Sequence, residues 1–338
     1  MEPRKQNILK AVVEEFAQSG IPVGSHSLAR ARFWNLSSAT IRGELSALAE
    51  LGYLAQPHVS SGRIPTDLGY RYFVDFLMDV SEIPAAEFSY LAREMRQVPL
   101  EGQALAEKLA NTLATLTHNA AIATTPMGAQ ARLKHVDFVS LEPHDVLMVL
   151  VVEGNLVRQQ VLHLEEAVDQ AALTRIANKI NGNFAASTAS EVASRLRRSD
   201  PGTEAALLRE LSAALDLFGR GGESIAVHDG VRNLIQQPEF AEPARLGEIL
   251  EVLEESSYLA SWLTDLVGDS NLQIVIGSEN QAAQFRTCTV VLTTYGPSRR
   301  VKGVLGVIGP TRMDYGQVVA RLQAVSRTAS ERLGEALL

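Results

Sequence analysis

The sequence has a single cysteine, Cys288, and this scarcity excludes an intrachain disulfide. Its setting, FRTCTVVLTTY, predicts a buried strand and an inert core thiol. Long hydrophobic runs are also missing, since the longest, Val146 to Val152, is far shorter than the ~20 residues that span a bilayer. Charged residues follow Met1 at once, without a secretory signal pattern. These absences predict a cytoplasmic protein without a membrane partner.

Catalytic and metal-binding patterns are absent as well. The seven histidines show no paired metal-ligand spacing, and only one cysteine could join them. The glycines of GVLGVIG at 303–309 do not match Gly-x-Gly-x-x-Gly and lie where a strand is predicted. His228 and Asp229 are adjacent in sequence, so a loop contact is expected rather than a catalytic pair. We therefore predict no enzyme activity, no metal and no cofactor.

The first 80 residues carry no net charge, because their eight Lys/Arg are balanced by eight Asp/Glu. The remaining residues carry 31 − 8 = 23 basic and 39 − 8 = 31 acidic groups, which accounts for the whole net charge of −8. A DNA-binding surface in the first segment would need clustered basic groups. The acidic remainder would repel DNA and leave binding to one face.

The segment 22–72 contains two short helix patterns joined by a turn. Ser25 is predicted to cap the first helix, and Ser37 or Ser38 to cap the second, which runs to about Leu51. In a helix-turn-helix the N-terminal end of the second helix enters the major groove. The residues predicted to contact DNA there are Ser37, Ser38, Ala39, Thr40, Arg42 and Gly43.

The opposite face of that second helix is apolar. Ile41, Leu45 and Leu48 recur at spacings of four and three, which is typical of a core-facing helix surface.

A glycine-tipped hairpin, here called the wing, follows at 53–64, with its turn at 60–62. Arg63 is expected near the tip, where a wing reaches phosphate or the minor groove. The alternative is a structural salt bridge from Arg63 to Asp67. The pattern predicts a winged helix-turn-helix, although some helix-turn-helix domains are protein-interaction modules. The predicted wing contacts to DNA are His58, Ser60, Ser61 and Arg63.

Three segments carry a family resemblance. LSSATIRGELSALAELGYLAQPHVSSGRIPTDLGYRYFVDFLM at 36–78 closely resembles the DNA-binding domain of HrcA, the bacterial heat-inducible transcription repressor family. GVLGVIGPTRMDYGQVVARL at 303–322 and NLIQQPEF at 233–240 resemble two further blocks of that family. One departure is Gly43, since HrcA sequences commonly carry Asn after Thr-Ile-Arg. A glycine within a helix costs ~1 kcal/mol relative to alanine.

The resemblance implies a dimeric repressor of heat-shock operons. Its expected partners are double-stranded DNA with an inverted-repeat operator of the CIRCE type, a second copy of the chain, and the chaperonin GroEL, which promotes the active form. The resemblance also implies a GAF-like domain interrupted by an inserted dimerising domain.

The pattern beyond residue 80 fits this organisation. Strand-like runs occur in two groups, at 133–164 and at 272–308, with helical patterns between them. They indicate one α/β sheet split by an insertion, in an α+β multidomain protein. The predicted domains are a winged helix-turn-helix at 1–80, a connecting region at 81–104, a GAF-like α/β domain at 105–164 and 226–338, and a mainly helical dimerising insertion at 165–225.

A single winged helix reads too few base pairs for a specific operator, so we predict a homodimer and a palindromic site. Leu173, Ile176 and Ile180 form an apolar stripe that a small insertion could hardly bury alone, and they are the predicted dimer interface. A second function stays open, in which a small molecule held by the GAF-like domain controls DNA binding. Nothing in the sequence names such a ligand.

Overall fold

The structure, a computed structural model, describes all residues except 34, 60, 97–101, 129–130, 153–156, 197–201, 220–224, 269–270, 299–300 and 336–338. The chain forms an N-terminal winged helix-turn-helix, a central sheet domain, and an insertion with its own core. The predicted α+β multidomain class is therefore confirmed. Among the described residues, no helix combines the length and apolar character needed to cross a bilayer.

The N-terminal domain packs three helices around a common core and ends in a fourth. Ile8, Leu9 and Val12 of the first helix are buried in the same cluster as Ile41 and Leu45 of the third. The elements are α1 Pro3–Ser19, α2 Ser25–Ala31, α3 Ser38–Glu50, β1 Leu54–Ala55, β2 Ile64–Pro65 and α4 Asp67–Phe76.

The remaining elements belong to the sheet domain and its insertion. They are α5 Ala85–Arg96, α6 Gly102–Thr117, β3 Ala120–Thr124, β4 Met127–Gly128, β5 Leu133–Ser140, β6 Asp145–Val152, β7 Val157–His163, α7 Gln170–Phe184, α8 Ala189–Leu196, α9 Thr203–Gly219, β8 Ala226–Asp229, α10 Val231–Ile235, α11 Pro243–Glu254, α12 Ser256–Val267, β9 Leu272–Ile276, β10 Cys288–Ser298, β11 Val301–Pro310 and α13 Tyr315–Glu335.

The central sheet has the order β8-β3-β11-β10-β9, is antiparallel, and carries β4 as an additional partner of β11. Both of its faces are covered. Ala121 and Ala123 of β3 belong to the core that holds α6 and α13, whereas Ala120 and Ile122 belong to the core that holds α11 and α12. Successive residues of a strand point to opposite faces, so this short strand joins two cores.

The run 133–164 does not belong to that sheet. Strands β5, β6 and β7 form a separate three-stranded antiparallel sheet in that order, and they share a buried core with α7, α8 and α9. The insertion therefore begins before residue 165, the start expected from sequence, and it contains a three-stranded sheet as well as the expected helices. The insertion leaves and rejoins the sheet domain at one place, where the N–H of Thr125 donates to the carbonyl of Ile225 at 3.1 Å.

The predicted dimer stripe also needs correction. Leu173 and Ile180 are 0% exposed, and Ile176 is partly buried against the same core. Helix α7 lies on β5, where the Asn181 side chain accepts from the N–H of Val136 and donates to its carbonyl, both at 2.9 Å. The insertion buries this stripe because its own sheet supplies the apolar surface expected from a second chain.

The opposite face of the insertion sheet carries exposed valines beside polar side chains such as Asp137 and Gln159. The exposed valines on the edge strands are Val139, Val157 and Val161, and 59% of the surface of Val161 is exposed to solvent. The cross-strand register places Val139, Leu147 and Val161 in one row. We call this outward surface of β5–β7 the outer sheet face.

The glycine-containing segment 303–309 and the pair His228–Asp229 both lie in strands of the central sheet. Residues 303–309 lie within β11, as predicted, between β3 and β10. His228 and Asp229 belong to β8 rather than to a loop, because β8 pairs with β3 along its whole length. The Asp229 carboxylate accepts from the Asn111 side chain at 2.8 Å.

Cys288 is fully buried, as predicted, and this burial raises the pKa of its thiol to about 12. The thiolate is the reactive form, and a raised pKa keeps the thiol protonated near neutral pH. We expect iodoacetamide at pH 8 to leave the native protein unmodified and to alkylate Cys288 only in denaturant, as measured by intact mass. Equal labelling rates in both conditions would contradict a buried thiol.

Candidate nucleic-acid interface

Helix α3 presents a capped and exposed N-terminus. The Ser37 hydroxyl accepts the N–H of Thr40 at 3.0 Å, and it also contacts the Thr40 hydroxyl at 2.8 Å. Ser37 is therefore the cap, and Ser38 instead meets the Ser25 hydroxyl at 3.0 Å. The expected cap at Ser25 is wrong, because Gly24 takes that position and Ser25 joins α2 to α3.

The two faces of α3 are divided as predicted. Ile41, Leu45 and Leu48 are buried, whereas Ala39 and Arg42 are exposed and Ser38 is partly exposed. Gly43 is exposed too, and a Cβ placed there would meet nothing within 4 Å. The position therefore has room for a larger side chain, and its glycine is not required by packing.

The wing is a short hairpin in which β1 pairs with β2. Its turn is closed by Ser61, whose hydroxyl donates to the His58 carbonyl at 2.7 Å, and by Gln56, whose side chain donates to the Val59 carbonyl at 2.8 Å. His58 is exposed, and Val59 is 99% exposed at the tip. Ser60, a predicted contact, lies outside the described residues.

Arg63 lies at the base of the wing rather than near its tip. Its backbone pairs with Val23, with N–H to carbonyl distances of 2.8 Å in both directions. Gly62 allows this approach, since a Cβ there would lie 2.4 Å from the Val23 carbonyl oxygen. This extra pairing places the Arg63 backbone beside Val23, two residues before the start of α2.

The structural alternative for Arg63 is not realised. Asp67 accepts instead from the N–H and the hydroxyl of Ser278, at 2.8 and 2.7 Å. The Arg63 Nε atom is buried and has no hydrogen-bond partner among the described residues. Among the described residues, no carboxylate forms an ion pair with this guanidinium.

Ion pairing decides which basic groups of the N-terminal domain remain available. Five of the eight have carboxylate partners, namely Arg4, Lys5, Lys10, Arg32 and Arg71. Within the part of the chain that the structure describes, Arg30, Arg42 and Arg63 have none. These three lie on α2, on α3 and in the wing. A domain without net charge therefore keeps basic groups without ion-pair partners on α2, on α3 and in the wing, the elements that the sequence pattern predicts to dock to DNA.

The acidic groups are held elsewhere. Glu44 of α3 lies 3.2 Å from Lys5 and 3.7 Å from Arg4, both on α1. The hydrogen bond from Lys5 to Glu44 raises the Lys5 pKa. Because α1 neutralises this carboxylate, Arg42 is the charge without an ion-pair partner near the N-terminal end of α3, while Glu50 is an exposed carboxylate at the opposite end.

Sequence reasoning missed two contributors to the site. Arg30 is exposed on α2, and a signal for it existed, because no acidic residue lies three or four positions away on the helix. Gln56 holds the wing turn by donating to two carbonyls, of Val59 and Ser61. No local pattern predicts that role.

Outside the winged helix, the sheet domain has a cleft that could hold a ligand. Among the described residues no group of three or more His, Cys, Asp and Glu is arranged to bind a metal. A cleft of about 610 Å³ opens beside the C-terminal end of α6 and the start of α10. Its polar lining residues are Asn111, Thr115, His118, His228, Asp229, Arg232 and Asn233.

The sequence of this chain is similar to that of known transcription repressors. Residues 103–319 match the family described as HrcA protein C terminal domain. The heat-inducible transcription repressor HrcA of Roseiflexus castenholzii is 38% identical over 98% of this chain and 94% of its own. Its namesake from Herpetosiphon aurantiacus is 31% identical over 99% of this chain and 96% of its own.

A solved structure shows the same fold. A crystal structure of a hypothetical protein at 2.2 Å resolution is 19% identical, covers 99% of both chains, and superimposes with a TM-score of 0.63. The sequence matches extend from the winged helix to α13, and they include both strands that flank the insertion. The chain therefore belongs to the HrcA family of heat-inducible transcription repressors.

Proposed function

We propose that this protein represses chaperone operons by binding an inverted-repeat operator as a homodimer, and that the chaperonin GroEL promotes its active form. The observation that carries the DNA-binding part is the set of three unpaired arginines, Arg30, Arg42 and Arg63, on α2, α3 and the wing. Phosphate neutralisation by such groups supplies much of the affinity for DNA.

In this arrangement the N-terminal end of α3 enters the major groove. Ser38, Ala39, Thr40, Arg42 and Gly43 face the bases and phosphates there, while the Ser37 hydroxyl stays in the cap. The unpaired N–H groups of a helix N-terminus favour a nearby phosphate. His58, Ser60, Ser61 and Arg63 of the wing contact the adjacent backbone.

The dimer forms through the insertion, on its outer sheet face. Val139, Val157 and Val161 leave an apolar surface in the monomer, and burial of such surface drives association. A flat sheet face can pack on its own copy about a two-fold axis, since the same patch then serves both partners. A two-fold dimer matches the symmetry of an inverted repeat.

The test concerns Arg42, with Arg4→Ala as the matched control because Arg4 is exposed but paired with Glu44. We expect Arg42→Ala to weaken operator binding by about 1–3 kcal/mol when the guanidinium makes a bidentate contact to guanine. Binding isotherms on operator and random duplexes, each over a salt series, measure this. The operator is the inverted repeat that the unmodified protein selects from a random library.

The pattern of loss identifies the kind of contact. A base contact weakens binding to the operator more than to random DNA, whereas a phosphate contact weakens both and lowers the salt dependence by about one charge. Arg4→Ala should leave both affinities unchanged. If Arg42→Ala behaves like Arg4→Ala on both duplexes, α3 does not read DNA through this residue.

The second candidate function is regulation by a small molecule, and the cleft beside α6 and α10 favours it. The cleft has a volume suited to a small ligand and combines imidazole, amide and carboxylate groups. Measuring operator binding after adding either a small-molecule extract or GroEL to the purified protein distinguishes a ligand-sensing regulator from a chaperonin-controlled repressor. A rise in operator binding with the extract alone would favour the ligand-sensing regulator.

A further inference from the structure

The N-terminal domain is bound rigidly to the sheet domain through α4. The Arg71 guanidinium makes two hydrogen bonds to the Glu279 carboxylate, one from Nε at 2.8 Å, and a third to the Ile274 carbonyl at 2.6 Å. Paired bonds between a planar guanidinium and a carboxylate fix orientation as well as distance. Arg71 therefore holds α4 at a defined angle to the end of β9.

Asp67, at the first turn of α4, makes a second connection. Its carboxylate accepts both the N–H and the hydroxyl of Ser278. The approach is close, because a Cβ on Gly277 would lie 2.4 Å from that carboxylate, and Gly277 has a φ of +51°. The turn after β9 is thus shaped to receive this helix end.

Apolar contacts complete the junction. The rings of Tyr70 and Phe73 lie 5.8 and 6.4 Å from that of Tyr315 on α13. Residues of α1, α3, α4, α6 and α13 belong to one continuous buried cluster. Such a junction between α4 and the sheet domain leaves little freedom for the N-terminal domain to turn.

We propose that Arg71 and Asp67 are positioning residues for operator recognition, because they fix α3 relative to the sheet domain and so determine which half-site spacing the dimer accepts. The inference rests on the proposed function. Two reading helices held on rigid bodies fit only one separation along the duplex. When the junction loosens, the two copies of α3 can bind half-sites at several separations. Fixing the loosened N-terminal domain on DNA then costs conformational entropy and lowers the affinity.

The first experiment measures binding to the selected inverted repeat with its spacer lengthened or shortened in single base-pair steps. The unmodified protein should prefer one spacing. The double variant Arg71→Met with Asp67→Ala should lose roughly tenfold at that spacing and accept its neighbours with similar affinity. Asp75→Asn is the matched control, since it removes an Arg71 partner within α4, at 3.2 Å, but no bond to the sheet domain.

The second experiment needs no DNA. Spin labels at Glu50→Cys in α3 and Glu251→Cys in α11, both exposed, report the distance between the domains in full-length protein diluted with unlabelled chain. A narrow distribution that broadens in the double variant supports the proposal, and an unchanged distribution overturns it. If the unmodified protein selects no inverted repeat, the proposed function fails, but the distance measurement still decides whether Arg71 and Asp67 orient the domain. An unchanged spacing preference with intact operator binding overturns only the present inference.

Discussion

We expect a variant that replaces residues 129–224 with a short Gly-Ser linker to be a folded monomer with weak operator binding. The excision is clean because Thr125 and Ile225 are hydrogen-bonded neighbours at the entry and exit of the insertion. The insertion core is separate from the two cores of the sheet domain. Loss of the second half-site should reduce affinity by roughly 10²–10⁴-fold, since two linked sites bind far more tightly than one.

Sedimentation measures the oligomeric state of this variant, and operator titration measures its affinity. Point variants then test whether the outer sheet face is the dimer interface. Val161→Glu with Val157→Glu places charge on the outer sheet face, and it should also yield a monomer. Ile235→Glu on α10 is the control, because Ile235 is 55% exposed but lies outside the insertion. A dimer that survives the excision would place the interface elsewhere on the chain.

The precise boundary matters for this test. A deletion of 165–225, the limits expected from sequence, removes α7–α9 but keeps β5–β7. It uncovers buried residues such as Phe138 and Met148, both 0% exposed. We expect that version to aggregate, because an exposed apolar sheet has edges and a face that associate with other chains.

Warming the isolated protein should remove operator binding through a loss of active molecules rather than through a weaker affinity. Two mostly apolar segments lie in the central strands of their sheets, Val146–Val152 and Val301–Ile308. They are exposed only on unfolding, and they then promote aggregation. We expect slow refolding, because strands that are far apart in the sequence must pair. One example is Thr124, whose hydroxyl accepts from the N–H of Val304, 180 residues away. GroEL with ATP should restore the active fraction.

Stoichiometric titration with operator DNA before heating, after heating and after chaperonin treatment measures that fraction, and dilute titration measures the affinity of the active molecules. Chaperonin without ATP is the control. Should the initial fraction be complete and GroEL leave it unchanged, chaperonin control does not apply to this protein. The ligand-sensing alternative, with its cleft beside α6 and α10, would then gain support.

Local patterns were sufficient for the recognition helix and for the C-terminal part of the sheet. The buried face of Ile41, Leu45 and Leu48 follows from spacing alone, and the cap is one of the two serines, Ser37 and Ser38, that the pattern offered. The final helix, α13, shows the same periodicity, since Tyr315 and Leu322 lie seven residues apart and are both buried. In each case the residues that signal the structure lie within a few turns of one another.

The strand β3 shows where such patterns fail. Its sequence, AAIAT, has little of the β-branched and aromatic character that indicates a strand, yet it lies between β8 and β11. Small alanines fit there because helices cover both of its faces closely. The strand is therefore a product of tertiary packing rather than of local preference.

Sequence patterns were enough to predict the buried and exposed faces of α3, the position of the wing, the buried thiol and the family resemblance, but not the cap at Gly24 or the role of Gln56 in the wing turn. Tertiary structure alone decided which strands pair, where the insertion begins, and that Leu173 and Ile180 belong to its interior. It also decided that Asp67 binds Ser278 and leaves Arg63 unpaired. Periodicity reveals that a face is buried, whereas the residues that bury it, or that neutralise a neighbouring charge, lie far away in the chain.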